Sequence, residues 1–455
     1  MIHDKEKFAK YTFCYDLILY DLFLVTNIMH NDMRRMENIM SLNETPLAER
    51  IHIGIFGKRN AGKSSLLNAL TGQNIAIVSD VLGTTTDPVL KTMELLPLGP
   101  VVFIDTPGFD DDSLLGKDRV EKSFQMLRKT NLVLVIIDTL KGKTSEDIEF
   151  ISILRGKKLP YLIVYNKKDL AESTEKAKSD LNDSSENDNT NEIYLSAKTK
   201  DNIDLLKTKM IEALSVEEKQ IPIVADLISP SDFVVLVVPI DKAAPKGRLI
   251  LPQQQTIRDI LDANATAIVV KEHELKETLL QLGKKPKLVI TDSQVFKQVD
   301  EDTPKDILLT SFSILFARYK GDLDTLVAGV KTLDSLKDGD KVLISEGCTH
   351  HRQCNDIGSV KLPNWIHNYT GKNIDFEFTS GSEFPTDLST YQLIVHCGGC
   401  MLNEREMKYR LSYSTDKMVP ITNYGILIAY IHGILKRSLE PFPKIHQLLE
   451  DNNIR

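Results

Sequence analysis

The chain has 455 residues, 42% apolar and 26% charged, which suits a water-soluble protein of two or three domains and is too long for one ordinary core. A formal net charge of −8 argues against a general nucleic-acid binder, because phosphate binding needs a basic surface. No apolar run is long enough for a membrane span; the nearest, residues 17–29, is interrupted by Asp21.

Residues 1–39 read as an extension without an assigned role. Asp4, Glu6, Asp16 and Asp21 break its apolar runs, so it matches neither a secretory signal nor an Arg-rich transit peptide. From Ile51 the texture changes. Strand-like runs at 52–56, 101–104, 132–137, 161–165 and 193–195 are spaced by helical patterns, predicting a doubly wound, parallel α/β sheet that ends near Val216. Within it, residues 176–191 are polar and Asn/Asp/Ser-rich, as in a surface insertion. A second α/β unit follows, with strands predicted at 233–240, 265–270, 287–291 and 307–312 and helices at 253–261, 272–282 and 322–333. It has no phosphate loop at any strand end, which suits a domain used for assembly. The third unit opens with a strand at 341–345 and has another at 392–395. The fold class expected is therefore α/β throughout: a P-loop domain followed by two smaller α/β domains, with boundaries at 40–216, 217–335 and 336–455.

The first strand runs into Gly57, Lys58, Arg59, Asn60, Ala61, Gly62, Lys63 and Ser64, a complete G-x-x-x-x-G-K-S, with a helix from Ser65 behind it. Its backbone N–H groups would face phosphates, Lys63 would reach the outer phosphates, and Ser64 would ligate Mg2+. Asp105, Thr106, Pro107 and Gly108 follow the strand at 101–104; the aspartate can hold Mg2+ through water and Gly108 can offer its N–H to the γ-phosphate. Asn166, Lys167 and Asp169 follow the strand at 161–165. A carboxylate at 169 accepts both the N1–H and the exocyclic amine of guanine, and adenine has no such donor pair. Ser196 and Ala197, ahead of Lys198, would set a backbone N–H near the base oxygen. In this order on successive strand ends, the segments predict a GTP-binding, GTP-hydrolysing domain.

Four of five cysteines lie late: Cys348, Cys354, Cys397 and Cys400. An odd, clustered set in a long chain suggests a reducing compartment and metal ligation rather than disulfides, and Cys14 reads as an ordinary small apolar residue. Cys348 and His350 follow one strand, and His396, Cys397 and Cys400 follow another, so two strand ends of one sheet would bring them together. Thiolates select zinc, Cu(I) or iron–sulfur clusters. A closed Cys3His zinc site is the rival to a cluster.

These residues match the GTPase superfamily and more narrowly resemble the branch that holds MnmE and Era. Residues 81–87 look like that branch's switch I, which implies that Thr85 contacts Mg2+ and acts with Lys63 and Gly108 in hydrolysis. Asn60 matches a loop asparagine that helps bind K+ there. Phe109 stands where Ras-type enzymes carry a water-orienting glutamine, so slow intrinsic turnover is expected. The further order, a featureless α/β domain and then C-x-H…H-C-x-x-C, resembles the iron–iron hydrogenase maturation GTPases, the HydF family, from about Met40 onward, including Asp356, Ile357, Gly358 and the run Gly399 to Asn403. That resemblance implies a homodimer held by the middle domain and a 4Fe–4S cluster on Cys348, Cys397 and Cys400, with His350 or His396 as a labile fourth ligand. It further implies a scaffold that carries a diiron subcluster precursor to immature iron–iron hydrogenase, with two radical-SAM maturases as partners, no nucleic acid and no membrane. The compartment expected is the cytoplasm or a hydrogen-producing organelle such as the hydrogenosome. Cys354 reads as a bystander or as the residue closing the cluster. The competing reading is a tRNA-modification or ribosome-assembly GTPase with structural zinc.

Overall fold

Alternating apolar residues along the first strands bury both faces of a sheet. In the computed structural model β1 (Ile51–Gly57), β2 (Val89–Leu95), β3 (Gly99–Asp105), β4 (Leu132–Asp138), β5 (Tyr161–Asn166) and β6 (Glu192–Tyr194) form one sheet in the order β2-β3-β1-β4-β5-β6. The structure describes residues 46–72, 89–106, 125–171, 191–215, 221–239, 249–347, 356–381 and 383–446. The expected switch I (81–87), the insertion at 176–191, the extension at 1–39 and the segment holding Cys348, His350 and Cys354 lie outside them or nearly so.

Ile53, Ile55, Phe103, Leu134 and Val164 pack on one face against α1 (Lys63–Thr71) and α3 (Ile203–Ser215). Phe56, Val133, Val135 and Ile163 pack on the other against α2 (Ser145–Gly156), which starts at a Thr144–Asp147 capping box. Helices on both faces and parallel pairing are the doubly wound architecture expected. The exception is β2, which runs antiparallel to β3 at the sheet edge. Its alternation of exposed Leu90 and Thr92 with half-buried Lys91 and Met93 is an edge pattern, and it gives no continuous apolar run to read.

The second sheet, β7 (Phe233–Val237), β8 (Thr266–Val270), β9 (Leu288–Thr291) and β10 (Leu308–Ser311), is wholly parallel in the order β10-β9-β7-β8. Around it lie α4 (Leu251–Asp262), α5 (Leu275–Gln281) and α6 (Phe296–Asp302). The third sheet is also parallel, in the order β12-β11-β13-β14, from β11 (Lys341–Glu346), β12 (Asp375–Ser380), β13 (Leu393–His396) and β14 (Ile421–Asn423).

One buried cluster runs through both later sheets, joining Val234, Leu236 and Ile290 to Leu343, Ile394 and Ile426. Between them sits α7 (Phe312–Lys320), with Phe312, Ile314, Leu315, Phe316, Ala317 and Lys320 all buried. Behind it, α8 (Leu323–Val330) lies so close to β14 that a Cβ on Gly329 would stand 2.0 Å from the Ile421 carbonyl oxygen. Thus α8, expected as part of the second unit, packs onto the third sheet. The third sheet also carries α9 (Leu362–Thr370), α10 (Glu404–Asp416) and α11 (Tyr424–Ile431). Helix α11 is buried from Tyr424 to Tyr430, and its Ile426, Leu427 and Ile428 side chains each stabilise the core by about 1.5–3 kcal/mol.

Candidate functional site

The phosphate loop leaves the carboxyl end of β1 and enters α1. Gly62 has φ +91, and a Cβ there would meet the Asn166 amide at 2.2 Å, so both the turn and the packing require glycine. The Lys63 ammonium folds back onto the Gly57 and Lys58 carbonyls at 2.7 and 2.9 Å. Asn60 and Arg59 are exposed, Asn60 with φ +61, while Ala61 is buried and Ser65 lies in the first turn of α1.

Ser64 Oγ donates to Asp105 Oδ2 at 3.0 Å, so the two residues expected at Mg2+ already face each other. Burial raises the Asp105 pKa, opposed by the Ser64 hydroxyl and the Lys63 charge. Thr106 Oγ1 donates to the Ile55 carbonyl and locks the end of β3 beside β1. The expected Thr85, Pro107 and Gly108 lie outside the described residues.

Asn166 stitches the base side to the phosphate side. Its amide donates to the Ala61 carbonyl at 3.0 Å, and its Oδ1 accepts from the Lys167 and Ala197 N–H groups at 2.8 and 3.0 Å. Asp169 accepts from Ser196 Oγ at 2.6 Å, and the Lys167 ammonium pairs with Asp138 at 2.7 Å. The segments expected to read guanine are therefore gathered at one end of the sheet, next to the phosphate loop.

The cysteine loop follows β13, directly beside β11, with Ser345 in register with His396. Gly347, which precedes Cys348 in the chain, donates its N–H to Cys397 Sγ at 3.0 Å, and Gly399 N–H approaches the same sulfur at 3.4 Å. Gly399 has φ +62, the left-handed turn that aims its N–H back at the sulfur. Burial pushes the Cys397 thiol up to about 11, against the two N–H donors, and it raises Cys400 too, against the Lys320 charge. Neutral thiols in such surroundings ionise when a metal replaces the proton. Among the described residues no three His, Cys, Asp or Glu side chains surround a common point.

His396, one of the expected candidates for the fourth ligand, makes other bonds in this structure. It is fully buried and points away from ligand duty: Nδ1–H donates to the Cys397 carbonyl at 2.7 Å, and Nε2 accepts from Arg410 at 3.0 Å. Burial and the Arg410 charge push its pKa down to about 3. With both ring nitrogens engaged it has no lone pair for a metal in this structure. Arg410, itself fully buried, also reaches Glu406, Ser345 and the Gly381 carbonyl. His396 thus braces the base of the cysteine loop.

Two residues here had been given no structural role: Lys320 was not singled out, and Asn403 only as the end of the run Gly399 to Asn403. Lys320, at the end of α7, donates to the Cys400 and Leu402 carbonyls. Asn403 caps α10 through Glu406 N–H and reaches the Lys129 carbonyl at 2.6 Å. The capping pattern Asn403–Glu406 was available as a signal; for Lys320 only its place on the apolar side of α7, in step with Phe312 and Phe316, hinted at burial.

The sheet, the phosphate loop and the base-reading segments together define a P-loop GTPase, and the 50S ribosome-binding GTPase model matches residues 52–167. The hydrogen maturase F dimerization domain matches residues 223–321, and the hydrogen maturase F tetramerization domain matches residues 324–441. The chain belongs to the hydrogen maturase F family. In its GTPase region it is 36% identical over 169 residues to the tRNA modification GTPase MnmE of Chromobacterium violaceum, covering 37% of this chain and 36% of that protein. It is 42% identical over 125 residues to MnmE of Thermoanaerobacter pseudethanolicus, covering 27% and 26%. The chain therefore spans about a third or less of the length of these relatives. Aquifex aeolicus Era bound to GDP·AlF4− aligns at 23% identity and a TM-score of 0.33, over 51% of this chain and 98% of Era. The dimer expected earlier is widened by these matches, since the third domain carries a tetramerization description.

Proposed function

We propose that this protein is a GTP-hydrolysing scaffold that holds a 4Fe–4S cluster and carries a diiron precursor to immature iron–iron hydrogenase. The observation that carries the cysteine half is the Gly347 N–H on Cys397 Sγ at 3.0 Å. It brings Gly347, the residue before Cys348 in the chain, against the Cys397–Cys400 loop, which supports a site drawn from two neighbouring strand ends. Thiols with backbone N–H donors suit iron–sulfur ligation. Cys348, Cys397 and Cys400 hold the cluster in this reading, with His350 or an exchangeable group as fourth ligand. Such a cluster would supply an exchangeable iron position for the cargo.

On the nucleotide side, Lys63, now on the Gly57 and Lys58 carbonyls, would take the outer phosphates, and Ser64, Asp105 and Thr85 would hold Mg2+, which supplies positive charge to those phosphates. Gly108 N–H meets the γ-phosphate, and Asp169 accepts the two guanine donors. Phe109 cannot orient water, so turnover is slow unless K+ beside Asn60 adds positive charge at the phosphates. Homo-oligomers form through residues 223–321 and 324–441, and the two radical-SAM maturases load the cargo. The competing tRNA-modification reading draws on the GTPase domain alone.

The test is hydrogen evolution by immature hydrogenase mixed anaerobically with protein co-produced with both maturases. Activity is expected with the wild type and lost in Cys397→Ser. A hydrogenase left inactive by wild-type protein that carries iron and sulfide contradicts the reading.

A further inference from the structure

Lys320 occupies a place where an ammonium is costly. Its side chain is 2% exposed, at the end of a helix that is otherwise apolar on its buried side, and the Phe316 ring lies 6.0 Å from its nitrogen. A buried charge persists only when its surroundings compensate it fully. Three groups do so here. The Leu402 carbonyl accepts at 2.9 Å and the Cys400 carbonyl at 3.3 Å, both from the loop that carries the second thiol. The third is the Glu49 carboxylate at 2.7 Å, from the turn Leu47–Glu49 that leads into β1. The Tyr319 hydroxyl donates to the other Glu49 oxygen at 3.1 Å, so the carboxylate is fixed from two sides by α7.

A second tether lies one residue beyond Leu402. Asn403 Nδ2 donates to the Lys129 carbonyl, just ahead of β4, and Asn131 and His52 exchange hydrogen bonds that join the starts of β4 and β1. The cysteine loop is thus bound to the amino ends of the two central GTPase strands, about 20 Å along β1 from the phosphate loop.

We propose that Lys320 is a positioning residue for the Cys397–Cys400 loop, and that its pairing with Glu49 fixes both the loop's backbone at Cys400 and Leu402 and the charge beside the Cys400 sulfur. Neither residue belongs to the cysteine motif or to a nucleotide segment. The geometric half stands whatever metal the thiols hold, while the charge half rests on the cluster reading above. A buried cation beside a thiolate-held cluster favours the more negative, reduced form, and a buried carboxylate opposes it.

Opposite charges therefore give opposite shifts, which a merely structural role does not produce. In full-length protein reconstituted with iron and sulfide and titrated with dithionite, followed by electron paramagnetic resonance, Lys320→Met shifts the couple toward the oxidised form about tenfold, about 59 mV for one electron. Glu49→Gln shifts it toward the reduced form, and Lys320→Arg restores most of the wild-type potential. In the same protein without iron, hydrogen exchange at the Leu402 and Asn403 amides rises about tenfold in Lys320→Met and less in Lys320→Arg. Shifts of the same sign in Lys320→Met and Glu49→Gln, no shift in either, or unchanged exchange in Lys320→Met overturns the proposal. A chain that takes up no iron and sulfide defeats the cluster reading and with it the charge half, while the exchange measurement still decides the geometric half.

Discussion

The phosphate loop and the cysteine loop both follow the last residues of a central parallel strand, and both turn on a glycine with positive φ. They differ in where their support comes from. The phosphate loop is held within its own domain: Lys63 caps carbonyls five and six residues away, and the long-range partners Asp105, Glu146 and Asn166 come from strands β3 and β5 and helix α2 of the GTPase unit. The cysteine loop borrows from everywhere. Gly347 comes from the neighbouring strand, Lys320 from the helix between the later sheets, and Lys129 from the GTPase domain. A self-contained loop can function when its domain is cut out; a borrowed one needs the whole chain around it.

Substitutions that separate the two ends break or sharpen this contrast. The largest effect expected is Lys63→Ala, which lowers GTP turnover by about 10²–10³-fold in a phosphate-release assay and leaves iron content unchanged. Loss of iron in that variant would mean the two ends are not independent. Gly329→Ala places a methyl group against the Ile421 backbone and costs about 3 kcal/mol in denaturant unfolding of the later domains, with nucleotide affinity retained. Asp169→Asn removes one acceptor for guanine and weakens GTP binding by about 2 kcal/mol, measured by calorimetry, while xanthosine triphosphate binds better. Asn403→Ala removes a cap and a tether to the GTPase domain and costs about 1 kcal/mol of stability, read from the urea midpoint.

The same contrast explains what the sequence disclosed. Gly57 to Ser64, Asp105, Asn166 and Asp169 were legible because each segment lies at or just past the end of a strand, and phosphate and guanine chemistry fix the residue types. Cys397 and Cys400 were legible as a pair. His396 was one candidate for the fourth ligand because a histidine beside a cysteine motif suggests ligation, and only the structure reveals the buried Arg410 that engages it. Lys320 and Glu49 were invisible, since 271 positions separate them and neither belongs to a motif. Strand β2 was missed because an edge strand need bury only part of one face, and its alternation is weak.

The most direct measurement is the metal content of full-length protein reconstituted anaerobically, alongside Cys397→Ser. The account predicts about four irons and four acid-labile sulfides per chain, with a cluster signal on reduction that the variant loses. A single zinc without sulfide, bound by the same cysteines, would contradict it.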